Sequence, residues 1–154
     1  MVSKPRKKKI VLASGVFDLL HLGHVRFLEE AKAAGGRNAK LIVIIARDST
    51  VEKMKGKKPI MSENQRFALV ESLKVVNKAV LGYEKKLHIG EVIEKIKPDV
   101  IALGYDQVEM ENEVKNYVAK HKLPIEVIRV GRFGENALDS SSKIKQKIIE
   151  KHTK

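Results

Sequence analysis

Cysteine and tryptophan are absent from the 154 residues, proline occurs four times, and the aromatic side chains are three Tyr and four Phe. Without cysteine there are no disulfides, no thiolate metal clusters and no cysteine nucleophile, so any catalysis must use His, Lys, Arg, Ser or carboxylates. So few aromatics exclude the interleaving of basic and stacking residues by which single-strand binders hold nucleic acid. No apolar run approaches the roughly 18 residues that span a bilayer, and the basic start has no apolar signal core behind it. The expectation is a soluble, cytoplasmic protein with no membrane partner. What is present is enough to fold: the chain is 43% hydrophobic, and its length matches one domain of roughly 150 residues.

The 31 Lys and Arg against 19 Asp and Glu leave a formal charge of +12. Part of the excess sits in Lys4, Arg6, Lys7, Lys8 and Lys9, and more lies between Lys143 and Lys154. Residues 1–9 are expected to form a basic tail and residues 10–154 a single domain. Such charge attracts polyanions of several kinds. With so few stacking residues, small phosphate-bearing ligands rank above nucleic acid.

Five short apolar runs punctuate the chain: Ile10 to Val16, Leu41 to Ala46, Ala79 to Gly82, Val100 to Leu103 and Ile125 to Val130. Continuous runs of this length suit strands buried on both faces. Helical spacing fills the intervals, through Val25, Leu28 and Ala31, then Phe67, Val70, Leu73 and Val76, then Ile89, Val92, Ile93 and Ile96, then Val114, Tyr117 and Val118. A last stripe, Ile144, Ile148 and Ile149, follows a serine run able to cap it. Gly35, Gly36, Pro98 and Pro124 fall between elements. Strand and helix alternating five times predict an α/β fold: a Rossmann-like, doubly wound, five-stranded parallel sheet with helices on both faces.

In such a sheet, ligands bind beyond the carboxyl ends of the strands. Glycine and polar residues collect there: Gly15 to His24, Arg47-Asp48-Ser49, Gly104-Tyr105-Asp106-Gln107 and Gly131-Arg132-Phe133-Gly134. A helix beginning near Gly23 puts His21 and His24 about one turn apart on one side. The glycine between them lets a phosphate approach the amides at the positive helix end. Histidines satisfied by local carbonyls are the bland alternative. A metal site lacks a third His and the Glu of a metalloprotease helix.

The segment Gly15-Val16-Phe17-Asp18-Leu19-Leu20-His21-Leu22-Gly23-His24 resembles the G-x-F-D-x-x-H-x-G-H signature of the cytidylyltransferase-like nucleotidyltransferases. The likeness extends from about Ile10 to Ile149. Ile44 to Asp48, Lys55-Gly56-Lys57-Lys58-Pro59-Ile60 and Leu103 to Gln107 are most similar to the archaeal FAD synthetases, with glycerol-3-phosphate cytidylyltransferases next. The resemblance implies transfer of AMP from ATP to FMN with release of pyrophosphate, dependent on Mg2+ or another divalent metal. It also implies a homodimer. A cytidylyltransferase acting on glycerol 3-phosphate is the competing enzyme reading, and a basic nucleic-acid-binding domain the competing class.

By the family pattern, His21 and His24 bind the triphosphate and stabilise the pentacoordinate phosphorus, and histidine can take a proton near neutral pH. Lys57, in preference to Lys55, reaches the acceptor or α-phosphate. Gly15, Val16, Phe17, Leu22 and Gly23 complete the nucleotide loop, and Asp106 accepts from ribose or base. Ser140, Ser141 and Ser142 match a phosphate segment at the last helix start, although Asp139 stands where the family has a hydrophobic residue. Glu135 stands where the cytidylyltransferases have arginine, with Arg132 three positions earlier as a replacement. Asp18 is expected to order its loop. Ser62 and Gln65 form a capping box, and Arg66 is kept outside the site in a surface or helix-anchoring role. Tyr83, Tyr105 and Phe133 are available as a wall for the flavin ring.

Overall fold

The computed structural model describes residues 7–84, 89–132 and 140–153. Its strands are β1 (Ile10–Gly15), β2 (Lys40–Ile45), β3 (Lys78–Leu81), β4 (Val100–Leu103) and β5 (Glu126–Arg129). Between and after them run α1 (Leu22–Ala34), α2 (Asp48–Lys55), α3 (Glu63–Glu71), α4 (Ile89–Ile96), α5 (Val108–Lys120) and α6 (Ser141–His152). All pairings are parallel, in the order β3-β2-β1-β4-β5. The predicted doubly wound sheet is therefore present, with β4 coinciding with its apolar run and the other strands differing from theirs by one residue at an end or both.

The two-residue period of each strand divides the core. Val11, Ala13, Val100 and Ala102 face one side with Leu28 and Ala31 of α1 and Val70 of α3. Leu12, Ile101 and Leu103 face the other with Ile93 of α4 and Val114 of α5. Helices thus cover both faces, and the strand order reverses between β1 and β4, which pair Val11 with Val100 and Ala13 with Ala102.

Two expectations change. The chain after β2 is α2, not an open loop leading to one helix; its single buried residue, Val51, gives no apolar stripe to detect. Leu73 and Val76 lie beyond α3, which ends at Glu71. Successive turns, with Leu73 N–H donating to Val70 O (3.1 Å) and Val76 N–H to Leu73 O (3.1 Å), prolong the three-residue spacing and still lay both side chains on the core.

The starts of α2 and α3 cap each other. Asp48 N–H donates to the Glu63 carboxylate (2.8 Å), and Glu63 N–H donates to the Asp48 carboxylate (3.3 Å). Acidic groups at both helix starts also meet the positive ends of the dipoles. Arg47 joins the cluster, with Nη1 3.2 Å from Glu63 and Nε donating to Gly82 O.

Arg66 is fully buried, so the surface role is wrong and the anchoring role holds. Its guanidinium donates to Val16 O (2.7 Å), Ala46 O (2.7 Å), Met61 O (3.0 Å) and Asp48 Oδ1 (2.7 Å). These acceptors follow β1, follow β2, precede α3 and open α2, so one side chain fixes four backbone segments. Removing a fully bonded buried cation strands its acceptors, at a cost of about 3–5 kcal/mol. Arg66→Met should lower the unfolding free energy by about that amount in urea titration; a loss below about 1 kcal/mol would show that water replaces the guanidinium.

Candidate active site

The loop from β1 to α1 runs through Phe17 (φ 57°), Asp18 and Leu19 (φ 50°). Left-handed backbone is uncommon for bulky residues and costs on the order of 1 kcal/mol each. It persists because the loop is held from outside. Arg66 grips Val16 O, and the buried Asp18 carboxylate accepts from Ile60 N–H (2.8 Å) and Met61 N–H (2.9 Å). Asp18 therefore orders its loop as expected. Phe17 folds inward over Gly15, where an added Cβ would lie 3.0 Å from ring atoms Cε2 and Cζ. Gly15 thus serves Phe17 packing.

His21 is the N-cap of α1 and His24 lies one turn on. Their rings stack with centroids 3.8 Å apart and planes at 25°, and Phe17 meets the His24 ring edge-on at 5.4 Å. His24 Nδ1 accepts the His21 backbone N–H at 3.2 Å. The neutral ring must then carry its proton on Nε2, a donor for an incoming anion. Burial, reinforced by the neighbouring His21 charge and opposed by Asp18, holds the His24 pKa down at about 4, against 6.5 for an ordinary histidine. His24 is neutral at pH 7 in the free protein.

The start of α6 docks on the same loop. Ser141 Oγ donates to Asp18 O, Lys145 Nζ stands 3.7 Å from the Asp18 carboxylate, and Ser140 caps the helix by accepting Lys143 N–H at 3.2 Å. Ser142 is exposed. Two helix N-termini, with their positive dipole ends, thus converge on one loop. That arrangement suits a polyphosphate.

Lys53 and Lys55 belong to the last turn of α2, whereas Lys57 follows its cap, Gly56, and is exposed. Its segment is pinned three residues on, where Asp18 takes the Ile60 amide. Across the switch point, Gln107 accepts Gly104 N–H (2.8 Å) and donates to Ser14 O (3.4 Å), closing the gap between β4 and β1. Asp106 is exposed beside it, and the Arg132 guanidinium lies 5.5 Å from the Tyr105 ring centroid. Leu22 is exposed next to His21. The histidines, Gly15, Val16, Phe17 and Ser141 are brought together, and Gly23 lies between the two histidines in the first turn of α1. Among the described residues no hydrogen bond or ion pair joins Lys57 or Asp106 to the histidines. Phe133, Glu135 and Asp139 lie outside the described residues.

Sequence reasoning underrated Arg66. Its signal was position: it precedes Val70 by four residues, on the face of α3 that is otherwise apolar.

The depressed His24 pKa links stability to acid. Unfolded chains bind a proton at this histidine below about 6.5 while the folded protein binds it only near 4. Stability should therefore be full above pH 6.5 and fall by up to about 1.4 kcal/mol per pH unit down to pH 4. His24→Gln should flatten this part of the profile in thermal melts across that range; an unchanged slope would show that His24 titrates normally.

The family model described as Cytidylyltransferase-like matches residues 12–147. The FAD synthase of Aciduliprofundum boonei is 44% identical over 141 residues, 92% of this chain and 91% of that protein. The FAD synthase of Methanothermobacter marburgensis is 46% identical over 140 residues, 91% and 85% of the two chains. A crystal structure of the lipopolysaccharide core biosynthesis protein from Thermoplasma volcanium is similar at TM-score 0.72 and 41% identity, covering 82% of this chain and 99% of that one. A pantoate-beta-alanine ligase from Francisella tularensis, at TM-score 0.64 and 17% identity over 94% of this chain and 67% of its own, shares the fold alone. From within β1, through the loop that carries the two histidines, to the first turns of α6, the chain belongs to the Cytidylyltransferase-like family.

Proposed function

We propose that this protein is an FAD synthase, a nucleotidyltransferase that moves AMP from ATP to FMN and releases pyrophosphate. The substrates are supported by the relatives bearing that name along nine-tenths of the chain. The chemistry is supported by one observation above all: the stacked histidines at the start of α1 share a loop with the start of α6.

In this reading the triphosphate lies across the two helix starts. His24 donates Nε2–H and His21 its ring to the phosphates, while Ser141, Ser142 and the first amides of α6 hold the far end. Lys57 draws in the acceptor phosphate. An FMN phosphate oxygen attacks the α-phosphorus as the bond to pyrophosphate breaks, so the protein acts by positioning and by meeting charge. Asp106 accepts from the nucleoside, and Arg132, stacked on Tyr105, borders the same strand ends.

No group of three or more His, Asp or Glu side chains comes together among the described residues. The loop offers imidazole, ammonium, hydroxyl and amide donors, which suit phosphate oxygens rather than Mg2+. A magnesium ion fits this edge as the companion of the triphosphate, held by phosphate oxygens, where it neutralises their charge. No helix of the described residues is long and apolar enough to cross a membrane. A homodimer, implied by the resemblance, belongs to the same proposal.

Pyrophosphate release measured with magnesium should appear when ATP is offered with FMN, and FAD should form in equal amount. Turnover with CTP and glycerol 3-phosphate, and none with ATP and FMN, would overturn the assignment. His21→Asn and His24→Asn should each lower kcat about 10²–10³-fold with circular dichroism unchanged. Lys57→Met should lower kcat/KM for FMN more than for ATP; equal losses would place the lysine on the nucleotide.

A further inference from the structure

We propose that the exposed side chains of Met54 and Ile60 form the platform for the isoalloxazine ring of FMN, with the lysines between them receiving its phosphate. The proposal deepens the FAD synthase reading and rests on it. Met54 and Ile60 are the most exposed large hydrophobics among the described residues, at 72% and 66%. They flank Lys55, Lys57 and Lys58, so apolar surface and positive charge alternate along seven residues.

This segment is held, not loose. Gly56, at φ 74°, ends α2 with its N–H on Glu52 O at 2.8 Å. At the other end, Asp18 takes the amides of Ile60 and Met61. A pinned backbone that leaves a methionine and an isoleucine uncovered, beside the loop that carries the histidines, offers surface for a ligand to cover. FMN has the matching chemistry: a flat apolar ring and a phosphate dianion. Glycerol 3-phosphate has the phosphate but nothing to cover the apolar pair. Thioether sulfur against an aromatic ring is a favourable contact in its own right.

Of the aromatics the sequence offered as a wall, Phe133 lies outside the described residues, and each tyrosine has a cation over its ring. The Tyr83 ring has the Lys95 ammonium 5.0 Å from its centroid, and Tyr105 has the Arg132 guanidinium at 5.5 Å. Both aromatics sit at the ends of other strands, outside the lysine segment.

The test uses the full chain carrying Met54→Gln and Ile60→Asn, singly and together, with two readouts. Quenching of FMN fluorescence, titrated without nucleotide, reads the platform alone; steady-state FAD formation reads KM for each substrate. Each single change should weaken FMN binding and raise KM for FMN roughly tenfold, with KM for ATP and the melting temperature unchanged. Ile60→Leu should restore wild-type binding. Wild-type FMN affinity in the double variant would overturn the platform even if FAD is made. A wild-type protein that neither binds FMN nor makes FAD would overturn the FAD synthase reading and the platform with it.

Discussion

Asp18 is where three distant parts of the chain are fastened. Its carboxylate holds the amides of Ile60 and Met61, its carbonyl accepts from Ser141, and Lys145 stands 3.7 Å away. A buried carboxylate is costly unless its oxygens are bonded, and here both are. The two left-handed residues on either side of it, Phe17 and Leu19, cannot relax while these bonds hold. Arg66 closes the same frame from the opposite side by gripping Val16 and Ala46. The fixed position of the histidines is therefore a property of two buried charges bonded within the protein.

The sheet accounts for the rest of the placement. In a parallel sheet all strands end at one edge, and the helices that follow β1, β4 and β5 begin there. Arg132, which follows β5, is exposed at the same edge. Much of the +12 charge lies elsewhere on the surface. In the proposed reading, what selects phosphate at this edge is the direction of amides and ring N–H groups, not the total charge.

Most of this was legible in the residues. Apolar runs located all five strands, because strands buried on both faces need no alternation to be seen. The serine run marked the start of α6, and the spacing of His21 and His24 marked a pair on one side of a helix. What escaped was whatever lacks a hydrophobic signature. Helix α2 buries only Val51 and owes its start to a reciprocal cap with Glu63, a contact between residues fifteen apart. Arg66 looked like surface because its acceptors, three carbonyls and the Asp48 carboxylate, come from outside α3. The low His24 pKa arises from burial and from the charge of the neighbouring His21, neither of which a sequence displays.

The neutral state of His24 bears on how the proposed reaction handles charge. Two phosphate-bearing substrates repel each other, and the proposal assigns them to the Lys57 segment and the histidine loop, two separate stretches of chain joined through Asp18. In the proposed reading His24, neutral in the free protein, meets the triphosphate through its Nε2–H. As negative charge gathers on the departing pyrophosphate that hydrogen bond strengthens, because a donor gains more from a charged acceptor than from a less charged one. The ring then contributes more to the transition state than to the ground state, which raises kcat instead of only lowering KM.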